Sequence, residues 1–130
     1  MNKINALILI GLMLGGCSDV TMAQGMDRYE LEAHMKPYFN QVVDAIYVAE
    51  GGKKAKKPFG ILSVPCSDYS SCRKVCYNTV RNNYFRWIDA GRKGDYIDFL
   101  ARKYAPIGVS NDPKGLNANW SRNVHALLER

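Results

Sequence analysis

Glycine and proline punctuation divides this chain into a few segments whose apolar residues recur at helical spacing, with little strand signal anywhere. Tyr38, Val42, Ala45, Ile46 and Ala49 fall on one face of a helix that Gly51-Gly52 ends with a left-handed cap. A long helix is expected from about Tyr69 to Ala90, with Ser67, Asp68, Ser70 and Ser71 as candidate caps, Val75, Thr79, Asn83 and Arg86 on successive turns, and Gly91 as its stop. Gly94-Asp95 opens a third helix through Tyr104, which Pro106 prevents from extending. Residues 105–118 read as loop, and a final helix, capped by Asn117 or Asn119, runs from Trp120 to about Leu128. Ahead of these, Met26 to Lys36 reads as an adapter or a short first helix ended by Pro37. The apolar run from Phe59 to Val64, bounded by Pro58 and Pro65, is expected to form a brief extended segment. The fold class is therefore mainly α, with about four to five helices and a small extended or β piece after the helix that ends at Glu50.

The amino terminus has the layout of a secretion signal: Lys3, then an apolar stretch from Ala6 to Leu14, then Gly15 and Gly16. That stretch is well short of the ~20 residues needed to span a bilayer. Residues 1–16 are thus assigned as signal peptide, 17–36 as a tether or leader and 37–130 as the folded domain. Leu14-Gly15-Gly16-Cys17 resembles the lipobox of bacterial lipoproteins, which makes Cys17 the lipidation site and its lipid the only membrane attachment. The alternative is cleavage after Ala23, where Thr21-Met22-Ala23 offers small residues to a signal peptidase and the product is untethered. Either way the chain is exported, to the periplasm or cell envelope.

Export bears on charge and on cysteine. With the signal removed, 12 acidic residues face 17 of the 18 basic ones, so the mature chain carries about +5, which favours an anionic partner. In that compartment the partner is a cell-wall polymer or anionic headgroup rather than nucleic acid. Cys66, Cys72 and Cys76 cluster within eleven residues, and an oxidising space favours one disulfide among them. Cys72 and Cys76, one helical turn apart, are awkwardly directed for each other, so Cys66 pairs with Cys72 or with Cys76. No metal site is expected, because three thiols lack a nearby histidine; His34 and His125 lie far off in sequence.

Glu50 is the residue with the clearest chemical potential. A carboxylate on the last turn of a helix lies against the negative end of the helix dipole, which disfavours ionisation, and burial beside Tyr47 or Phe59 adds to this. A general acid working near neutrality needs that upward shift. The ordinary reading is an exposed residue in front of a glycine cap.

The segment Ala45-Ile46-Tyr47-Val48-Ala49-Glu50-Gly51-Gly52, followed after six residues by Phe59-Gly60-Ile61-Leu62-Ser63, resembles the catalytic segment of lysozyme-like lytic transglycosylases and phage muramidases. Asn78 through Arg81-Asn82-Asn83-Tyr84 to Trp87, Gly94-Asp95-Tyr96-Ile97-Asp98-Phe99-Leu100 with Tyr104, and Asn117-Ala118-Asn119-Trp120 extend the similarity. Ser63 stands where many members have glutamine. The resemblance implies an α+β lysozyme-like fold that cleaves the glycan strands of peptidoglycan without a cofactor, as a monomer. It implies Glu50 as the acid, with Gly60, Ile61, Ser63, Tyr104, Asn117, Asn119 and Trp120 lining the substrate cleft. No second carboxylate follows Glu50 closely; Asp68, Asp89, Asp95, Asp98 and Asp112 come later, on no catalytic motif. That gap favours attack by the substrate's own hydroxyl, giving an anhydro sugar, over hydrolysis through a paired carboxylate. The competing class is a non-catalytic envelope lipoprotein that binds the cell wall or a protein partner.

Overall fold

A computed structural model describes residues 25–130. The signal peptide, Cys17 and the alternative cleavage site after Ala23 lie outside the described residues. Four α-helices are present among these: α1 (Arg28–Ala49), α2 (Tyr69–Asp89), α3 (Tyr96–Tyr104) and α4 (Trp120–Leu128). Short 3-10 turns occupy Gly52–Lys54, Pro58–Gly60 and Leu116–Asn119. Among the described residues no helix is long and apolar enough to cross a membrane. The structure divides between Met35 and Lys36, and the second unit, residues 36–130, carries the site described below.

Two expectations are corrected. Helix α1 runs through Pro37 instead of starting after it. It begins at a reciprocal cap, in which Glu30 N–H donates to Asp27 Oδ1 (2.8 Å) and Asp27 N–H to Glu30 Oε2 (3.2 Å). Pro37 is exposed, so the carbonyl that loses its N–H donor one turn earlier is left to water rather than to the core. The second correction concerns the segment after α1, which contains no strand; no strand occurs among the described residues. Ile61 has extended backbone (φ −77°, ψ 110°), but a strand also needs a partner ladder, and this run has prolines at both ends and opens on a 3-10 turn at Pro58–Gly60.

Helix α2 starts where Asp68 and Ser71 form a reciprocal cap: Ser71 N–H donates to Asp68 Oδ1 at 2.7 Å, and Asp68 N–H to Ser71 Oγ. The Ser71 backbone N–H, and with it the Ser71 side chain, holds the exposed Asp68 carboxyl below the usual range. Its buried side chains are Cys72, Cys76, Val80, Asn83 and Phe85. Of the residues expected on successive turns, Asn83 is buried, while Val75 and Thr79 line a cleft. Asn83 satisfies itself by donating from Nδ2 to Thr79 O at 2.8 Å. The core proper joins Phe39, Val42, Val43 and Ile46 of α1 to Val80 of α2, Ile97 and Leu100 of α3 and Val124 of α4. Beside it the Tyr96 hydroxyl, among the rings of Tyr38, Tyr84 and Trp87, donates to Val80 O at 2.6 Å. Trp87 also donates to Gly94 O at 3.1 Å, which makes it part of the α2–α3 corner.

Cys66 pairs with Cys72, tying the loop after Gly60 to the first turns of α2. Cys76 is the remaining thiol; it is buried, and burial pushes its pKa up to about 12. A thiol so protonated is a poor nucleophile.

Candidate functional site

The site is assembled around the end of α1. Glu50 still closes a helical bond to Ile46 O at 2.9 Å, after which Gly51 turns the chain with φ 102°. Four residues of the next loop, Lys53, Lys54, Lys56 and Lys57, are exposed and lie outside the cleft lining. The chain then returns through Phe59 and Gly60, both in the left-handed region (φ 60° and 66°). For Phe59 that conformation is costly, and its ring offsets the cost by complete burial against Tyr47 and Tyr69, with centroids 5.1 and 5.4 Å away. For Gly60 the missing side chain is essential. A Cβ there would sit 2.6 Å from the Glu50 carboxyl carbon and 3.1 Å from its Cγ, so the carboxylate occupies the space a side chain would need.

The opposite support comes from α3 and α4. Trp120, buried at the start of α4, donates from Nε1 to Glu50 Oε1 at 2.8 Å across seventy positions of sequence. Its indole stacks on the ring of Tyr104 at the end of α3, with centroids 5.1 Å apart and an interplanar angle of 22°. The Tyr104 hydroxyl donates in turn to Phe59 O, and lies 3.6 Å from Cys76 Sγ. Burial holds the Tyr104 phenol far above its ordinary range, so it stays a proton donor at every working pH. Glu50, Trp120, Tyr104 and the Phe59-Gly60 turn thus form one closed set of contacts, which fixes the carboxyl in place.

Glu50 is half-buried. Loss of solvent raises its pKa above the usual carboxylate range, against the smaller opposing effect of the Trp120 bond, which favours the ionised form. The carboxyl faces an open cleft of about 410 Å³. Gly60, Ile61, Leu62, Ser63 and Val64 form one wall, Val75 and Thr79 of α2 contribute to the lining, and Lys103, Tyr104, Ala105, Pro106, Asn111 and Asn117 complete it. Among the described residues, Glu50 is the only carboxylate on this lining. Of the five aspartates that follow it in sequence, none lines the cleft, and four are engaged elsewhere: Asp68 and Asp95 cap helices, Asp98 accepts from Ser121, and Asp112 accepts from the N–H groups of Leu116 and Asn117.

Of the residues expected at a site, Glu50, Gly60, Ile61, Ser63, Tyr104 and Asn117 come together. Two do not meet the expectation of lining the cleft. Trp120 lies behind Glu50 as a support, and Asn119 faces away, accepting from Arg122 Nη2 at 2.6 Å. Neither Asn117 nor Asn119 makes the expected side-chain cap of α4: Asn117 donates from Nδ2 to Pro106 O at 2.9 Å, and Asn119 occupies the cap position without a capping bond. Val75, Thr79, Lys103 and Asn111 are lining residues that the motifs did not assign to the site; the placement of Val75 and Thr79 on successive turns of α2 is the signal that pairs the first two.

Compared with protein-family models, curated proteins and solved structures, the chain matches none of them.

The Trp120 bond makes a pH prediction. Removing it in Trp120→Phe takes away the interaction that favours the carboxylate, so the Glu50 pKa should rise further. In any activity that needs the protonated acid, the basic limb of the pH–rate profile should move to higher pH while the maximal rate falls through loss of alignment. A rate profile of the variant whose basic limb stays with wild type would show that Trp120 does not act on Glu50.

Proposed function

We propose that this domain cleaves the glycan strands of peptidoglycan, as a lysozyme-like lytic transglycosylase with Glu50 as the general acid. The observation that carries the reading is a raised-pKa carboxyl, seated by Trp120 against Gly60, on an open cleft with no second carboxylate along its wall among the described residues. The sequence resemblance around Glu50 and Gly60-Ile61-Leu62-Ser63 supplies the substrate class, and the polar rim of Ser63, Thr79, Asn111 and Asn117 suits sugar hydroxyl and acetamido groups. The net positive charge suits a wall carrying carboxylates on its peptide stems.

With one carboxyl available, the chemistry divides into two uses of the same group. Protonated Glu50 gives its proton to the bridging glycosidic oxygen as the bond to the anomeric carbon breaks. The resulting carboxylate accepts the proton of a hydroxyl on the same sugar, whose oxygen closes onto the oxocarbenium-like carbon. No water is consumed, and the acid is restored to its starting state. Exported to the cell envelope, either lipid-anchored through Cys17 or released by cleavage after Ala23, the enzyme meets this polymer directly.

The test is digestion of purified peptidoglycan, with released fragments identified by mass. Anhydro ends are the expected product. Reducing ends, heavier by one water, would replace the transglycosylase reading by hydrolysis. Absence of any fragment from folded protein would remove the enzymatic reading and favour a wall-binding protein.

A further inference from the structure

Away from the Glu50 cleft, the start of α3 and the middle of α4 bring an imidazole and two carboxylates together. His125 Nε2 lies 3.0 Å from Asp95 Oδ1 and 3.7 Å from Asp98 Oδ1. One ligand atom from each of the three side chains falls within 4.8 Å of the other two. A divalent ion bound tetrahedrally by nitrogen and oxygen at about 2.1 Å spaces its ligands about 3.4 Å apart. The two measured separations straddle that value.

Capping and an ion pair account for Asp95, and the first-turn position and the Ser121 bond for Asp98; the ring nitrogen nevertheless has both carboxylates within 3.7 Å. Two carboxylates facing one imidazole carry two negative charges, of which a proton on the ring balances one and a dication balances both. Each carboxylate is also held in orientation by a further bond, as outer-shell partners hold metal ligands. The Asp98 backbone N–H donates to Asp95 Oδ1 at 3.0 Å, and the Ser121 hydroxyl, one turn before His125 on α4, donates to Asp98 Oδ1.

We propose that Asp95, Asp98 and His125 form a binding site for a divalent cation of the zinc class, which clamps α3 to α4. Water completes the coordination on the exposed side. The clamp has a structural consequence, because the same two helices carry Tyr104 and Trp120. Cation binding tightens the pair that seats Glu50, without the ion touching the cleft.

The test uses the untagged full-length chain, stripped with a chelator and titrated with zinc in a calorimeter. One equivalent should bind, and the melting temperature should climb with zinc concentration. His125→Gln and Asp98→Asn should each lose about a hundredfold in affinity or more, since even outer-shell changes cost about tenfold to a hundredfold. His34→Gln should bind as wild type does. A second readout needs no variant: the chain has two histidines, and zinc should shift the NMR ring signals of one of them only, the one absent from the His125→Gln spectrum. Absence of saturable binding below millimolar zinc, equal affinity in wild type and His125→Gln, or unmoved His125 ring signals would each overturn the site. None of these readouts depends on wall cleavage, so the site and the proposed enzymatic activity stand or fall separately.

Discussion

Glu50→Gln is expected to lower the release of fragments from peptidoglycan by about 10²- to 10⁴-fold, the usual contribution of general acid–base catalysis, while the protein stays folded. The substitution keeps the side chain's shape, and the amide oxygen still accepts from Trp120 Nε1; only the transferable proton is lost. Its effect on stability runs opposite to its effect on rate. Burial raises the Glu50 pKa in the folded state, so the stability this group contributes is full below the unfolded pKa and is lost as pH rises through the folded one. Wherever the carboxylate is ionised its burial is a penalty, and Gln, neutral at every pH, removes it. The variant should therefore melt no lower than wild type at pH 7 in a thermal scan. A variant that keeps more than about a tenth of the activity would dismiss Glu50 as the acid.

Gly60→Ala should be comparably damaging by a different route. The new methyl group falls on the Glu50 carboxyl carbon at 2.6 Å, and the backbone there has φ 66°. The left-handed conformation alone costs about 1–2 kcal/mol for a residue with a Cβ, and the clash forces the carboxyl out of its seat against Trp120. Misplacement of a reacting group by about 1 Å commonly costs on the order of 10²-fold in rate. The two contributions separate in a double-mutant cycle. In a Glu50→Ala background the three atoms nearest the methyl group are gone, so the stability cost of Gly60→Ala should shrink toward that of the backbone conformation. Equal costs in both backgrounds, measured by chemical denaturation, would mean that Gly60 and Glu50 do not compete for the same space.

Elements that announce their own ends were readable from the sequence. Asp68 and Ser71, Gly91, Asp95 and Pro106 delimit α2 and α3 by local chemistry, and the structure keeps those limits within a residue or so. Gly51 likewise ends α1 on Glu50. Pro37 misled because its cost depends on whether the abandoned carbonyl is exposed, a tertiary property absent from a proline's neighbours. The run from Phe59 to Val64 misled because apolar, β-branched composition cannot say whether a partner strand exists.

At the site, the carboxyl, the glycine beside it and the wall from Ile61 to Ser63 were legible as one local motif. The partnership of Trp120 with Glu50 was not, and neither was that of His125 with Asp95 and Asp98. Such pairs are joined by the way α3 and α4 pack, and no spacing along the chain encodes them. The resemblance puts Trp120 in the cleft lining; a buried indole N–H needs an acceptor, and Glu50 provides one.

The seventy positions between Glu50 and Trp120 give the site an order of assembly. A chain growing from its amino terminus contains the acid, the glycine beside it and the whole of α2 before Trp120 has been added. Until α4 exists, nothing in the described structure holds Oε1, and the ring of Tyr104 has no indole to stack on. Chains cut short anywhere before residue 120 therefore carry the acid without its alignment. The last dozen residues, remote in sequence from every motif around Glu50, determine whether it is a positioned acid or an ordinary carboxylate at a helix end.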